Sequence, residues 1–187
     1  MSEDRSADHE LLRALQFAAD RHRDQRRKGE DASPYINHPI AVAETLARFG
    51  VTDRVTLQAA VLHDTIEDTE TTPDELEAEF GPEVRRVVME VTDDEALSKR
   101  DRKALQVEQA GELSRRAKLV RIADKVSNVH DVLHAPPTDW SVEWRLRYVA
   151  WTERVVDGCR GCHPALEAHY DAKVAEARRV LEDTGPG

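Results

Sequence analysis

Apolar residues recur at helical spacing along almost the whole chain, and no stretch alternates convincingly at a period of two residues. That pattern leaves little room for a sheet and points to an all-α domain. Leu11, Leu12, Leu15, Ala18 and Ala19 mark a first helix, expected to continue into the basic run His22 to Lys28. Gly29 to Pro34 reads as a polar loop closed by proline. Pro39 opens a second helix through Phe49, an early position that tolerates proline. Asp53 is placed to cap a third helix that ends near Leu62. Thr72, with Glu75 three residues on, has the form of a capping box for a short helix ending near Phe80. Gly81-Pro82 breaks the chain, and Val84, Val87, Val88 and Val91 begin another helix. Residues 93 to 104 are charged and weakly periodic, and read as a mobile loop leading into a helix. Ala117 to Val132 forms an apolar-rich helix, Asp139 is the expected cap of the next, and a last one covers roughly 164 to 182 ahead of a frayed tail at 183–187.

The 187 residues fit one domain, with its core at about residues 8–170. Aromatic residues are only 5%, so Leu, Val, Ile and Ala must fill the core. The formal net charge of -10 argues against a nucleic-acid binder. A small polyanionic ligand needs only a local basic rim, which Arg26-Arg27-Lys28 can supply. No apolar run approaches a membrane span, and the polar start MSEDRSADHE has no signal-peptide core. A cytoplasmic location without membrane attachment is expected, with no structural disulfide between Cys159 and Cys162.

The chemistry concentrates in His63-Asp64-Thr65-Ile66-Glu67-Asp68-Thr69, directly after the apolar run Leu57 to Leu62. Charge at the end of a buried helix is costly unless something neutralises it. A divalent ion that accepts imidazole nitrogen and hard oxygen, such as Mn, Fe or Zn, would do so. If the segment stays helical, Glu67 lies one turn beyond His63 and Asp64 on the same face. Two further candidates complete a set: His38 in Pro34-Tyr35-Ile36-Asn37-His38-Pro39, and Asp124, which interrupts the apolar Leu119 to Ala123. Taken singly, a loop His before Pro is ordinarily a surface residue and a helical Asp an ion-pair partner. Together they make a coherent two-His, two-Asp ligand set. Two other signals are set aside. Cys159-Arg-Gly-Cys162-His163 has the form of a c-type haem attachment but lacks an export signal, and His130-Asp131 with His134 is a second HD doublet.

The order H…HD…D resembles that of the HD-type metal-dependent phosphohydrolases. The surrounding motifs are more specific: Gln25 to Lys28, PYINHP at 34–39, AAVLHDTIEDT at 59–69, FGPEV at 80–84, EVTDD at 90–94, LVRIADKVSN at 119–128, and the Trp140 to Trp151 segment with Tyr148. They resemble the hydrolase domain of the RelA/SpoT alarmone enzymes of the stringent response, above all the small single-domain hydrolases typified by the metazoan SpoT homologue. The resemblance implies an HD-domain helical bundle. It also implies His38, His63, Asp64 and Asp124 as ligands of Mn(II), and Glu67 and Asp68 as the acidic pair that activates water. Arg27, Lys28, Asn128 and Tyr148 fall on nucleotide contacts, and Lys99 on a basic position of the loop after EVTDD. The implied reaction removes the 3′-pyrophosphate of ppGpp or pppGpp, and a chain this short is expected only to degrade alarmone. NADPH 2′-phosphatase activity at the same site and a non-catalytic nucleotide sensor are the alternatives. The chain departs from its relatives at Ser127, where a larger residue is common, at Trp144, where a close relative has arginine, and at Glu95-Ala96. None of these is expected to touch the metal set.

Overall fold

A computed structural model describes residues 2–183 except 30 and 31, with the side chains of the first helix described from residue 8 onward. The described residues form ten helices: α1 (Ser2–Arg21), α2 (Asn37–Arg48), α3 (Arg54–Leu62), α4 (Thr65–Asp68), α5 (Pro73–Phe80), α6 (Pro82–Val91), α7 (Lys99–Gln109), α8 (Arg115–His134), α9 (Val142–Cys159) and α10 (Pro164–Asp183). The expected frayed tail falls outside the described residues beyond 183, while α10 itself continues through Asp183. Extended pairing is limited, among the described residues, to two isolated bridges, Arg26 with Pro34 and Gly29 with Pro137. No described helix is long and apolar enough to cross a membrane.

Helix α8 is the axis of the domain. It packs against α2, α3, α6, α9 and α10. Enclosure from so many directions explains why its buried residues run from Ala117 to Val132 on nearly all sides. Arg121, Asp124 and Lys125 are buried with them, so this helix carries charge into the interior. Val84, Val87, Val88 and Val91 form the buried stripe of α6, as their spacing predicts. Tyr170 is fully buried, and its hydroxyl shares a 2.8 Å hydrogen bond with Thr152 Oγ1.

Several helix starts follow the sequence signals. The Asp53 carboxylate accepts from Thr56 N–H, and Thr72 Oγ1 accepts from Glu75 N–H. The capping box is only half made, because Glu75 pairs with Arg21 of α1 instead of turning back. Other expectations change. The first helix stops at Arg21, and His22 to Asp24 form a turn. The His22 ring is buried and sits 2.7 Å through Nδ1 from Gln25 Oε1, while Arg27 reaches across to Asp131 on α8. Tertiary contacts thus outweigh helix propensity over the basic run. The charged stretch after residue 93 is loop only to Ser98. Ser98 caps α7 through Asp101 N–H, so Lys99 is a first-turn helical residue. Ser141, not Asp139, caps α9 by accepting from Trp144 N–H. On α5 the acidic side chains pair across the surface: Glu79 lies 2.9 Å from Arg13 and Glu77 2.6 Å from Arg85.

Two glycines are explained by close approach. A Cβ on Gly29 would lie 2.4 Å from the Ala135 carbonyl, where the basic loop passes the end of α8. A Cβ on Gly158 would lie 2.6 Å from Ala110 Cβ and 3.1 Å from Gly111 N, where α9 crosses the end of α7. Gly158→Ala should therefore wedge these helices apart and destabilise the domain by about 1–3 kcal/mol. Denaturant unfolding of the purified variant checks this; an unchanged midpoint would refute the tight crossing.

Candidate active site

Three segments that are distant in sequence deliver the site. His38 lies in the first turn of α2, His63 and Asp64 form the turn between α3 and α4, and Asp124 lies in the middle of α8. The chain does not stay helical through the HD doublet. Thr65 Oγ1 donates to the Leu62 carbonyl at 2.7 Å as the backbone turns. Glu67 and Asp68 then follow on the short α4 instead of one turn further along α3.

One ligand atom each from His38, His63 and Asp124 lies within 4.8 Å of the others, and all three residues are buried. His38 Nε2 is 3.2 Å from Asp124 Oδ1 and 3.6 Å from Asp64 Oδ2. His63 Nε2 is 3.0 Å from Asp64 Oδ2 and 3.8 Å from Asp124 Oδ1. His63 Nδ1 lies 2.8 Å from the Ala60 carbonyl, which can only accept, so Nδ1 carries the proton. That leaves Nε2 facing the carboxylates. This nitrogen is buried and, despite the short approach of Asp64, makes no directed hydrogen bond. An imidazole oriented by a backbone carbonyl, with its other nitrogen unpartnered among carboxylate oxygens, fits a divalent ion. Burial disfavours the His63 cation, but the Asp64 and Asp124 carboxylates overcome this and hold its pKa up to about 10. Ion binding displaces that proton, since a ligating imidazole is neutral.

The residues behind the ligands hold them in place. Tyr35 OH donates to Asp64 Oδ2 at 2.7 Å. Lys125 Nζ lies 2.9 Å from Asp124 Oδ2, and Asn128 Nδ2 donates to Asp124 Oδ1 at 2.6 Å. Burial works against the Asp124 carboxylate, yet Lys125 and the two imidazoles keep it well below the usual range. Ser127 Oγ lies 3.0 Å from His38 Nδ1. This corrects the expectation that departures from the relatives leave the metal set untouched: the Ser127 hydroxyl orients one of the imidazoles. Tyr35 and Ser127 thus join the expected site residues, and the signal for Tyr35 is its place in the same PYINHP motif as His38.

Glu67 lies beside this group. Its Oε2 accepts from Asp93 N–H at 3.2 Å, and Arg102 Nη1 approaches Oε1 at 3.4 Å. Burial, together with the Asp93 charge, pushes the Glu67 carboxyl up to about 7. Burial and the Asp64 charge also raise Asp68. Two cavities meet here. A smaller one, about 240 Å³, is lined by His38, His63, Asp64, Glu67 and Asp124. A larger one, about 530 Å³, is lined by Arg26, Arg27, Lys28 and Trp140. Arg27, Tyr35, Asp68, Lys99, Asn128 and Tyr148 line both, so the cavities adjoin. Arg27 donates to Asp131 at 3.0 Å and to Asn128 at 3.1 Å. The second HD doublet is therefore tied to the basic loop. Among the described residues His130, Asp131 and His134 do not gather as a metal group.

His63→Ala should lose most bound divalent ion, since one of three clustered donors is removed, while Ser127→Ala, which only frees the His38 ring, should keep a weakened site. Metal analysis after dialysis checks both; a His63→Ala protein with undiminished ion content would overturn the assignment.

The model of the HD domain family matches residues 14–147. The chain is 53% identical over 159 residues to a Mus musculus protein named guanosine-3′,5′-bis(diphosphate) 3′-pyrophosphohydrolase MESH1, covering 84% of this chain and 89% of that one. It is 44% identical over 162 residues to the Drosophila melanogaster protein of the same name, covering 86% and 90%. A solved structure, described as a metazoan ortholog of SpoT that hydrolyzes ppGpp, superposes with a TM-score of 0.87 at 43% identity, covering 92% of this chain and 96% of that one. This all-α chain belongs to the HD-domain family, within the group of hydrolases that contains the MESH1 proteins.

Proposed function

We propose that this chain is an Mn(II)-dependent hydrolase that removes the 3′-pyrophosphate of ppGpp or pppGpp, leaving GDP or GTP. One observation carries the reading: the buried His38, His63 and Asp124 group shares a cavity with Glu67, and that cavity opens at Lys99 into a wider basic one. A net charge of -10 repels a polyanion at long range, so capture rests on this local reversal of sign. The names of the relatives support the substrate.

His38, His63, Asp64 and Asp124 would hold the ion, a mixed nitrogen and hard-oxygen set that suits Mn(II). Once bound, the ion supplies Lewis acidity toward a phosphoryl oxygen and brings a water closer to ionising at neutral pH. Glu67 accepts the proton of the attacking water. Its pKa of about 7 suits a group that must take and release protons near neutrality. Arg102 and the Asp93 N–H fix its carboxylate, and Asp68 assists from the end of the same short helix. Arg27, Lys28 and Lys99 neutralise phosphate charge. Asn128 spans the space between Arg27 and Asp124, and Tyr148 offers a ring face to the base.

Turnover with Mn(II) against ppGpp, pppGpp and NADPH in parallel tests the reading. Pyrophosphate release from the alarmones is expected. Orthophosphate from NADPH with the alarmones intact would overturn it in favour of a 2′-phosphatase, and binding without turnover in favour of a sensor.

Glu67→Gln should keep the ion but lower kcat by about 10²–10⁴-fold, the usual scale for a general base. The rising limb of the pH–rate profile, set where Glu67 loses its proton near pH 7, should vanish in the variant. A full rate in Glu67→Gln would move the role to Asp68. Lys28 is exposed, lies seven residues beyond the end of α1 and lines the wider cavity, so it has no part in ending a helix. Lys28→Ala should reduce kcat/KM by about 10- to 100-fold with ion content and melting temperature unchanged. An unchanged kcat/KM on the same preparation would exclude it from phosphate recognition.

A further inference from the structure

Three lysines stand around one aromatic wall, and only one of them has an anionic partner among the described residues. Lys125 is buried on α8 and pairs with Asp124. Lys99 and Lys103 lie four residues apart on α7, and both approach the Trp144 ring, at 5.6 Å and 5.0 Å. Lys103 Nζ is also 4.8 Å from the Tyr148 ring centroid and 4.4 Å from that of Trp151. Among the described residues the ammonium groups of Lys99 and Lys103 make no ion pair and no hydrogen bond.

This placement is unfavourable for the protein alone. Like charges four residues apart on a helix repel. A half-buried ammonium without a counter-charge is disfavoured, and burial, then Lys99 and Lys125, push Lys103 down to about 8. Three ring faces offset part of that cost and fix where the ammonium sits. The Trp151 indole N–H donates to the Lys103 carbonyl at 3.0 Å, so α9 grips α7 at this residue. What the cluster lacks is negative charge from outside the chain.

The cavities indicate where that charge would come from. Lys103 lines the small cavity together with His63, Asp64, Asp124 and Glu67, while Lys99 lines both cavities. We propose that Lys103 is a further substrate-binding residue. It contacts the phosphate of a diphosphate group that lies on the metal side of the cleft, with Lys99 meeting the second phosphate where the two cavities join. This rests on the reading that the substrate carries a diphosphate. The aromatic cage keeps the Lys103 ammonium near its binding position before the ligand arrives, so less side-chain entropy is lost on binding than for a free surface lysine.

The test uses inorganic pyrophosphate, titrated calorimetrically into the purified protein at fixed Mn(II), with Lys103→Met and Lys103→Arg compared with the unaltered chain. Methionine keeps the apolar stem within the cage and removes the charge; arginine keeps the charge. Lys103→Met should bind pyrophosphate about 10- to 100-fold more weakly, and Lys103→Arg within about threefold of the unaltered protein, both with undiminished ion content. Equal affinity in Lys103→Met, or equal losses in both variants, overturns the proposal, because charge at this position would then not matter. The outcome is separable from that of the proposed reaction. Pyrophosphate binding that depends on Lys103 in a protein that leaves ppGpp intact supports this contact and refutes the hydrolase reading. Turnover of ppGpp with no dependence on Lys103 does the reverse.

Discussion

Two imidazoles and two carboxylates meet where α2, the α3–α4 turn and α8 converge, and their mutual neutralisation is the constraint on which the rest depends. Buried carboxylates need positive charge close by. Lys125 supplies part of it for Asp124, and the Tyr35 hydroxyl supplies a hydrogen bond to Asp64. The His63 Nε2 left without a directed partner marks where a cation belongs. Three helical segments are pinned to one point by this need, so the position of α8 on the domain axis is as much an electrostatic matter as a hydrophobic one.

From that point the charge pattern runs outward in shells. Next to the ligands stand carboxylates whose pKa values burial raises, Glu67 above all. Beyond them come Lys99 and Lys103 on α7, which make no ion pair among the described residues, and the cations Arg27 and Lys28 on the loop before α2. Several acidic side chains lie away from the cleft. Glu79, Glu77 and Glu83 pair with arginines on the far helices, where exposed pairs contribute at most about 1 kcal/mol each. Although its net charge is -10, the chain lines the wider cavity with Arg26, Arg27, Lys28 and Lys99.

Much of this was legible in the residues. The helical period of the apolar positions fits the described helices. The Asp53 and Thr72 caps lie where their side-chain chemistry places them. The ligand candidates were legible because buried charge is rare enough to stand out against Leu119 to Ala123 and Leu57 to Leu62. The errors share a cause. His22 to Lys28 looks helical in isolation, but a buried His22 ring and the reach of Arg27 to Asp131 unwind it. Ser98 carried a cap signal that the surrounding charge obscured. The contact of Ser127 with His38 spans 89 residues, which no local pattern reveals.

The sequence by itself determined the all-α class, the residue types available to hold an ion, and the carboxylates beside them, because periodicity and burial of charge are properties of a single helix and its immediate neighbours. Only the tertiary structure decided which cations face the cleft. Arg26, Arg27 and Lys28 are alike as a basic run and all line the wider cavity, yet Arg27, tied to Asp131, also reaches the smaller one, while Lys28 stays exposed at the outer wall. Lys99 and Lys103 acquire a shared direction only because Trp144, Tyr148 and Trp151 of α9 pack across α7. Direction toward a common point depends on how helices cross, and helix crossing is set by side chains far apart in the chain.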